Sequence, residues 1–153
     1  MDLKLLRDVD LFQDLDGVQL AHLASFAQTI QFPRGQLLFG EGDPPDFFYV
    51  IQKGRIRISR VVAGMGEEAL AILEPGSYFG EMELIDPSLP RAAQATVHED
   101  TVLIVFQVDS MRELMSGDGE LAVPLLSSFV RTLSARLRMT NDKITAFFAM
   151  AKF

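Results

Sequence analysis

The 153-residue sequence contains no cysteine and only two histidines. Without cysteine the chain forms no disulfide, no thiolate nucleophile and no cysteine-ligated zinc site. His22 and His98 are too few for a cluster of histidine metal ligands, and we interpret both as surface or structural residues. No motif for a nucleophilic triad is present either. We therefore expect no catalytic residue and no metal, and we predict that the chain is not an enzyme.

Basic residues are scarce relative to acidic ones, with 14 Lys and Arg against 21 Asp and Glu and a net charge of −7. A general nucleic-acid binder needs a basic face to neutralise phosphates, so we expect no nucleic-acid partner. An anionic ligand would require a specific local pocket, because the net negative charge of the protein repels it.

Long apolar runs are also absent. No stretch approaches the roughly 20 apolar residues of a membrane span, and the N-terminal residues 1–15 carry acids every few positions, unlike a signal peptide. We predict a soluble, cytoplasmic protein with no membrane partner.

The hydrophobic pattern divides the chain into three zones of one predicted domain, residues 1–153. Residues 1–28 have leucines at spacings near three and four, which predicts N-terminal helices, with Asp16-Gly17 separating two of them and capping the second. Residues 29–108 read as short strands, and residues 109–150 return to a helical pattern.

Glycine and proline punctuate the predicted β region at short intervals. The predicted strands include 47–52, 55–62, 69–73 and 101–106, and Lys53-Gly54 is among the predicted turns between them. Apolar and polar residues alternate from Arg55 to Val61, as in a strand with one solvated face. Many short strands of this kind predict a sandwich or barrel.

The stretch from Gly76 to Val97 carries the groups suited to a ligand. Gly80 allows close approach of the backbone, and Glu81 can accept hydrogen bonds from sugar hydroxyls. Arg91 offers a planar, permanently charged fork that matches a phosphate. Ala92 and Ala93 leave space beside exposed N–H groups. Each residue alone has an ordinary structural interpretation, and only the combination indicates a ribose-phosphate site.

Phe79-Gly80-Glu81 followed by Pro90-Arg91-Ala92-Ala93 resembles the phosphate-binding cassette of the cyclic-nucleotide-binding domain family, placed here at residues 79–93. That family includes regulatory subunits of the cAMP-dependent kinase and bacterial catabolite activators. The resemblance extends upstream and covers essentially the whole chain, through Glu41-Gly42-Asp43, Asp46, Phe48-Tyr49-Val50-Ile51 and Gly54.

The resemblance implies a mainly β fold: a jelly-roll β-barrel (double-stranded β-helix) with N-terminal helices and a long C-terminal helix. Glu81 would bond the ribose 2′-hydroxyl, Arg91 would pair with the cyclic phosphate, and Ala92 in place of Thr or Ser would favour cAMP over cGMP. The ligand-binding residues implied are Gly80, Glu81, Met82, Arg91, Ala92 and Ala93, with Thr140 and Asn141 from the C-terminal helix.

Glu83 departs from the family pattern, which often has a small residue there. If the side chain points outward, it has no effect on the ligand. If it points inward, it weakens phosphate binding or requires a partner.

The C-terminal segment resembles the long helix of the bacterial activators, which pairs with its twin in a dimer. On that resemblance Thr140 contacts the amine of the base, and Asn141 reaches across from the partner subunit. The alternative is that both belong to a polar turn of an amphipathic helix. One apolar face supports a two-fold helix pair and a homodimer; it comprises Val123, Leu126, Val130, Leu133, Leu137, Ile144 and Phe147/Phe148.

The sequence thus predicts a cAMP sensor that transmits ligand occupancy through its C-terminal helix to an unidentified protein partner. The chain stops soon after that helix, so we expect no DNA-reading module, in either a free-standing sensor or a piece of a longer protein. Alternatives are a scaffold of the same fold that binds no nucleotide, a sensor for another cyclic nucleotide or dinucleotide, and a cupin-type enzyme, which the two histidines argue against.

Overall fold

The computed structural model describes residues 1–152 and contains helices at both ends of the chain with an antiparallel sheet between them. The helices are α1 Leu3–Arg7, a 3-10 turn Asp10–Phe12, α2 Gly17–Ala24, α3 Glu81–Ile85, α4 Val108–Gly117 and α5 Gly119–Ala151. The strands are β1 Ala27–Phe32, β2 Leu37–Phe39, β3 Phe47–Val62, β4 Gly66–Leu73, β5 Tyr78–Phe79 and β6 Gln94–Gln107.

A capping box fixes the start of helix α2. The Asp16 carboxylate accepts from the Gln19 N–H at 2.8 Å, and the Gln19 side chain accepts from the Asp16 N–H at 2.9 Å. The predicted break at Asp16-Gly17 is therefore confirmed. Helix α2 ends at Ala24 and strand β1 begins at Ala27, so the first strand starts two residues before the predicted position 29.

Two long strands, β3 and β6, form the centre of the sheet. The order is β1-β6-β3-β4, with β2 paired to β6 and β5 paired to β3, all antiparallel. Antiparallel strands flanked by helices confirm the predicted fold class. Among the described residues the hydrogen-bonded path from β1 to β4 is open, so the barrel is not closed.

Side chains along the central strands point alternately to the two faces of the sheet, and they form two hydrophobic cores, one on each face. Phe48 and Val50 pack with the helices, while Tyr49 and Ile51 belong to the core on the other face. Because successive side chains point to opposite faces, a continuous apolar run is what a strand buried on both sides requires.

The turn predicted at Lys53-Gly54 is wrong, because strand β3 runs unbroken from Phe47 to Val62. Gly54 has φ +84°, and the pairing with strand β6 shifts register on both sides of it. A β-bulge with a glycine in the left-handed region produces the same local sequence signal as a turn.

Helix α5 has 33 residues, and the burial of its side chains decreases along its length. Asp118 caps it by accepting from the Leu121 N–H at 3.1 Å, and its first turns bury Leu125 and Phe129 against the sheet. From residue 137 to residue 152 every residue is exposed. None of the helices within residues 1–152 is long and apolar enough to cross a membrane.

Candidate ligand-binding site

A cavity of about 300 Å³ lies between the sheet, helix α3 and helix α5. Its walls are mostly apolar and most of its few polar side chains are charged, which is typical of a small-molecule site. The lining residues are Phe39, Ile58, Leu70, Ala71, Leu73, Phe79, Gly80, Glu81, Met82, Glu83, Ala92, Ala93, Arg136, Met139, Thr140 and Lys143.

Gly80 joins strand β5 to helix α3 in a conformation that favours glycine, with φ +88°. A Cβ at this position would lie 2.9 Å from Nη1 of Arg91 and 3.1 Å from the Phe47 carbonyl oxygen. The glycine therefore satisfies the backbone turn and also lets the buried guanidinium reach the start of helix α3.

The Glu81 carboxylate is buried and has a cationic partner from helix α5. The residue is 2% exposed, and Nη1 of Arg136 donates to its Oε1 at 2.7 Å. Nη2 of Arg136 also donates to the Tyr78 carbonyl oxygen at 3.4 Å. One arginine of the long helix is thus joined to both ends of the β5–α3 junction.

Burial raises the pKa of the Glu81 carboxyl above its ordinary value of 4.5, because the surroundings solvate the carboxylate less well than water does. The Arg136 guanidinium opposes this shift, and the nearby Glu83 adds to it. A buried carboxylate in this setting favours hydrogen-bond donors such as hydroxyl groups, which reduce its unpaired charge.

Arg91 is a buried guanidinium behind Gly80, 2% exposed. Nη2 donates to the Phe47 carbonyl oxygen, and Cζ lies 4.2 Å from the centroid of the Phe39 ring. Its Nε has no hydrogen-bond partner among the described residues. A fixed, incompletely paired guanidinium is a strong site for an oxyanion.

Glu83 points inward and is 6% exposed, which answers the question that the sequence left open. Its Oε2 accepts from Nη1 of Arg91 at 3.3 Å, and its Oε1 accepts from the Ala92 N–H at 3.1 Å. The inward carboxylate has its partners within the chain.

Six of the eight residues that the sequence predicts for binding line this one cavity. Arg91 lies immediately behind it, with Nη1 against Gly80. Asn141 is exposed and is not among the lining residues within the described chain. Thr140 lines the cavity, although its hydroxyl donates to the Arg136 carbonyl oxygen at 2.9 Å within the helix. The six lining residues are Gly80, Glu81, Met82, Ala92, Ala93 and Thr140.

Two contributors were not predicted from the sequence. Arg136 lies four residues before Thr140, and this spacing is the sequence signal that places both on the same helix face. Phe39 contacts the Arg91 guanidinium from strand β2, 52 positions away in the sequence, and no local pattern reveals such a contact.

The arrangement offers a carboxylate acceptor and a guanidinium beside a backbone N–H, within apolar walls. These groups match a ligand with hydroxyls at one point and an anion at another. Within residues 1–152 no cluster of three or more His, Asp or Glu residues could hold a metal ion.

Comparison with known proteins identifies one family. Residues 29–118 match the family described as the cyclic nucleotide-binding domain. The chain is 32% identical over 141 residues, 92% of its length, to a CRP-like cAMP-activated global transcriptional regulator of Mycobacterium tuberculosis, and it spans 61% of that regulator.

Solved structures show the same similarity. The N-terminal domain of a transcriptional regulator from Streptomyces coelicolor is 34% identical, with a TM-score of 0.69 and coverage of 92% of this chain and 94% of that one. A cyclic nucleotide-binding domain from Methylobacillus flagellatus is 28% identical, with a TM-score of 0.77 and coverage of 93% and 79%. The family match covers more than half of the sequence and includes the strands and helix α3 that line the cavity, so this chain belongs to the cyclic nucleotide-binding domain family.

Proposed function

We propose that this chain is a cAMP sensor that binds the nucleotide in the cavity beside helix α3 and reports occupancy through helix α5. The observation that carries the proposal is the convergence of two buried groups at one glycine. Glu81 follows Gly80 directly in the sequence. Arg91 packs so closely against Gly80 that a Cβ added to this glycine would lie 2.9 Å from Nη1 of Arg91. A carboxylate suited to ribose hydroxyls therefore lines the cavity, and a guanidinium suited to a phosphate lies immediately behind it.

The nucleotide would lie with its sugar at Glu81 and its cyclic phosphate at Arg91 and the Ala92 N–H. The buried Arg91 guanidinium is already held by Phe39 and the Phe47 carbonyl, so its side chain loses little conformational freedom when the anion binds. Charge-assisted hydrogen bonds in a mostly apolar cavity are stronger than the same bonds in water. Met82 and Ala93 complete the wall next to these groups.

Two observations favour cAMP over cGMP. Ala92 supplies an N–H but no hydroxyl at the position that follows the arginine. The relative from M. tuberculosis is described as cAMP-activated. Thr140 lines the same cavity from helix α5, where its hydroxyl can meet the base of the nucleotide.

Helix α5 is the element suited to transmit the signal. Arg136 joins it to Glu81, and the Tyr78 hydroxyl lies 3.1 Å from the Ser128 carbonyl oxygen and 2.6 Å from Oγ1 of Thr132. A ligand that changes the partners of Glu81 therefore acts directly on the helix. A protein partner that contacts the helix would receive the signal.

We also propose a homodimer formed through helix α5. The face that packs on the sheet carries Leu121, Leu125 and Phe129, whereas the heptad-like apolar face predicted from the sequence is largely uncovered. Its exposed members include Val123, Val130, Leu137, Ile144 and Phe147. A second copy of the helix would cover this face and place Asn141 of one subunit near the site of the other.

A titration of the protein with cAMP tests the proposed function. We expect a dissociation constant of about 1 μM or lower, which corresponds to about −8 kcal/mol, and weaker binding of cGMP in competition. Absence of both heat and thermal stabilisation with cAMP, cGMP and a cyclic dinucleotide would remove the sensor function and favour a scaffold that binds no nucleotide.

Hydrogen exchange tests the role of helix α5. Saturating cAMP is expected to slow amide exchange within residues 120–150, because the ligand adds contacts to the helix near Arg136 and Thr140. Helix α4, which does not line the cavity, provides the internal reference. Equal exchange in residues 120–150 with and without the ligand would exclude the helix as the transmitter.

A further inference from the structure

The Glu83 carboxylate binds two donors at once. One oxygen accepts from Nη1 of Arg91 and the other accepts from the Ala92 N–H, at 3.3 and 3.1 Å. A guanidinium N–H beside a backbone N–H is also the donor pair that the proposed function assigns to the cyclic phosphate. A carboxylate with two oxygens on these donors has the charge and the bidentate geometry of the anion itself.

We propose that Glu83 is a built-in competitor for the phosphate, so that its displacement sets the affinity and the selectivity of the site. The inference rests on the proposed function and extends it to a residue that the family resemblance does not assign to binding.

The charges of the site support this inference. Glu81 and Glu83 are both buried, and Arg136 and Arg91 are their respective partners. The two pairs already balance, so a cyclic phosphate adds a third negative charge beside Arg91. Close like charges in a poorly solvated site are unfavourable. The bound state therefore requires the Glu83 carboxylate to leave its donors.

The free protein can then exist in two forms, one with Glu83 on the donors and one with the donors open. Only the open form accepts the phosphate, so the apparent affinity is the intrinsic affinity multiplied by the open fraction. The contact between Glu83 and Arg91 also makes the site selective. An oxyanion that binds only Arg91 gains too little binding energy to displace the Glu83 carboxylate, which is covalently held beside it. A ligand that also engages Glu81 gains enough.

The experiment compares wild type with Glu83→Ala and Glu83→Gln. Removal of the competing carboxylate is expected to tighten cAMP binding by about tenfold to a hundredfold, the equivalent of one buried charge-assisted hydrogen bond. Glu83→Gln keeps the size of the side chain without its charge, which guards against failure of the smaller variant to fold. The matched control is Glu68→Gln, which removes an exposed carboxylate of strand β4 and should leave the affinity unchanged.

A second measurement uses inorganic phosphate, which needs no nucleotide site. Phosphate is expected to raise the melting temperature of the Glu83 variants more than that of wild type or Glu68→Gln, because only the variants leave Arg91 open to an external anion. Unchanged or weaker cAMP binding in the Glu83 variants would overturn the inference while the proposed function stands. If no variant binds a nucleotide, the proposed function fails, and the phosphate comparison alone decides: greater stabilisation of the Glu83 variants supports the inference, and equal stabilisation overturns it.

Discussion

Replacement of Arg91 by alanine is expected to lower cAMP affinity by at least a hundredfold. The guanidinium is buried immediately behind the cavity, against Gly80. Two charge-assisted hydrogen bonds to the phosphate are together worth about 3 kcal/mol or more, and each 1.4 kcal/mol is about tenfold in affinity. Calorimetry with cAMP measures the loss directly.

The same substitution also affects folding, because Arg91 is the partner of the buried Glu83 carboxylate. Breaking a buried pair on one side costs about 3–5 kcal/mol. The double variant Arg91→Ala, Glu83→Ala removes the orphaned charge, so it should regain stability and still fail to bind cAMP. Its recovery would separate the two effects.

A matched surface control for Arg91 is Arg55→Ala, which breaks an ion pair with Glu99 between half-exposed side chains. Such pairs contribute about 0–1 kcal/mol, so affinity should be unchanged and stability only slightly lower. If Arg91→Ala binds cAMP as tightly as Arg55→Ala, the guanidinium does not contact the phosphate and the proposed binding mode is wrong.

The substitution Gly54→Ala is expected to destabilise the fold strongly without touching the cavity. The glycine has φ +84°, and a Cβ there would lie 2.5 Å from the Asp100 carbonyl oxygen and 2.8 Å from the Thr101 Cα. Backbone atoms cannot rotate aside as a flexible side chain does. The left-handed conformation costs an alanine about 1–2 kcal/mol and overpacking adds about 1–3 kcal/mol, so we expect the melting temperature to fall by about 10 °C.

Gly64→Ala is the matched control, because Gly64 also has positive φ, +79°, and a Cβ there would meet nothing within 4 Å. Only the conformational cost of about 1–2 kcal/mol remains. Thermal unfolding of both variants isolates the steric part at Gly54. Equal destabilisation would show that strand β6 gives way at Thr101 and that the close approach is not what requires glycine.

The sequence predicted the features that depend on neighbours along the chain. The cap at Asp16 and the zone of short strands both follow from residues a few positions apart. The cassette was predicted because its residues share one short segment. Gly54 was misassigned to a turn, because the groups that require glycine there belong to residues 100 and 101 on another strand.

The orientation of Glu83 could not be predicted for the same physical reason. A glutamate in the first turn of a short helix is equally compatible with solvent or with a buried partner. Its direction depends on Arg91 and the Ala92 N–H, which the following loop brings back against helix α3. The contact between Arg136 and Glu81 likewise joins residues 55 positions apart.

The two tyrosines provide the protein with its own optical reporter. The sequence has no tryptophan and only Tyr49 and Tyr78, so all intrinsic tyrosine emission and all tyrosine circular dichroism arise next to the cassette. Tyr49 stacks on Phe79 with ring centroids 4.7 Å apart, and Tyr78 is joined to helix α5 through Thr132. The tyrosine signal therefore reports on the contact between strand β5 and helix α5 without any attached dye.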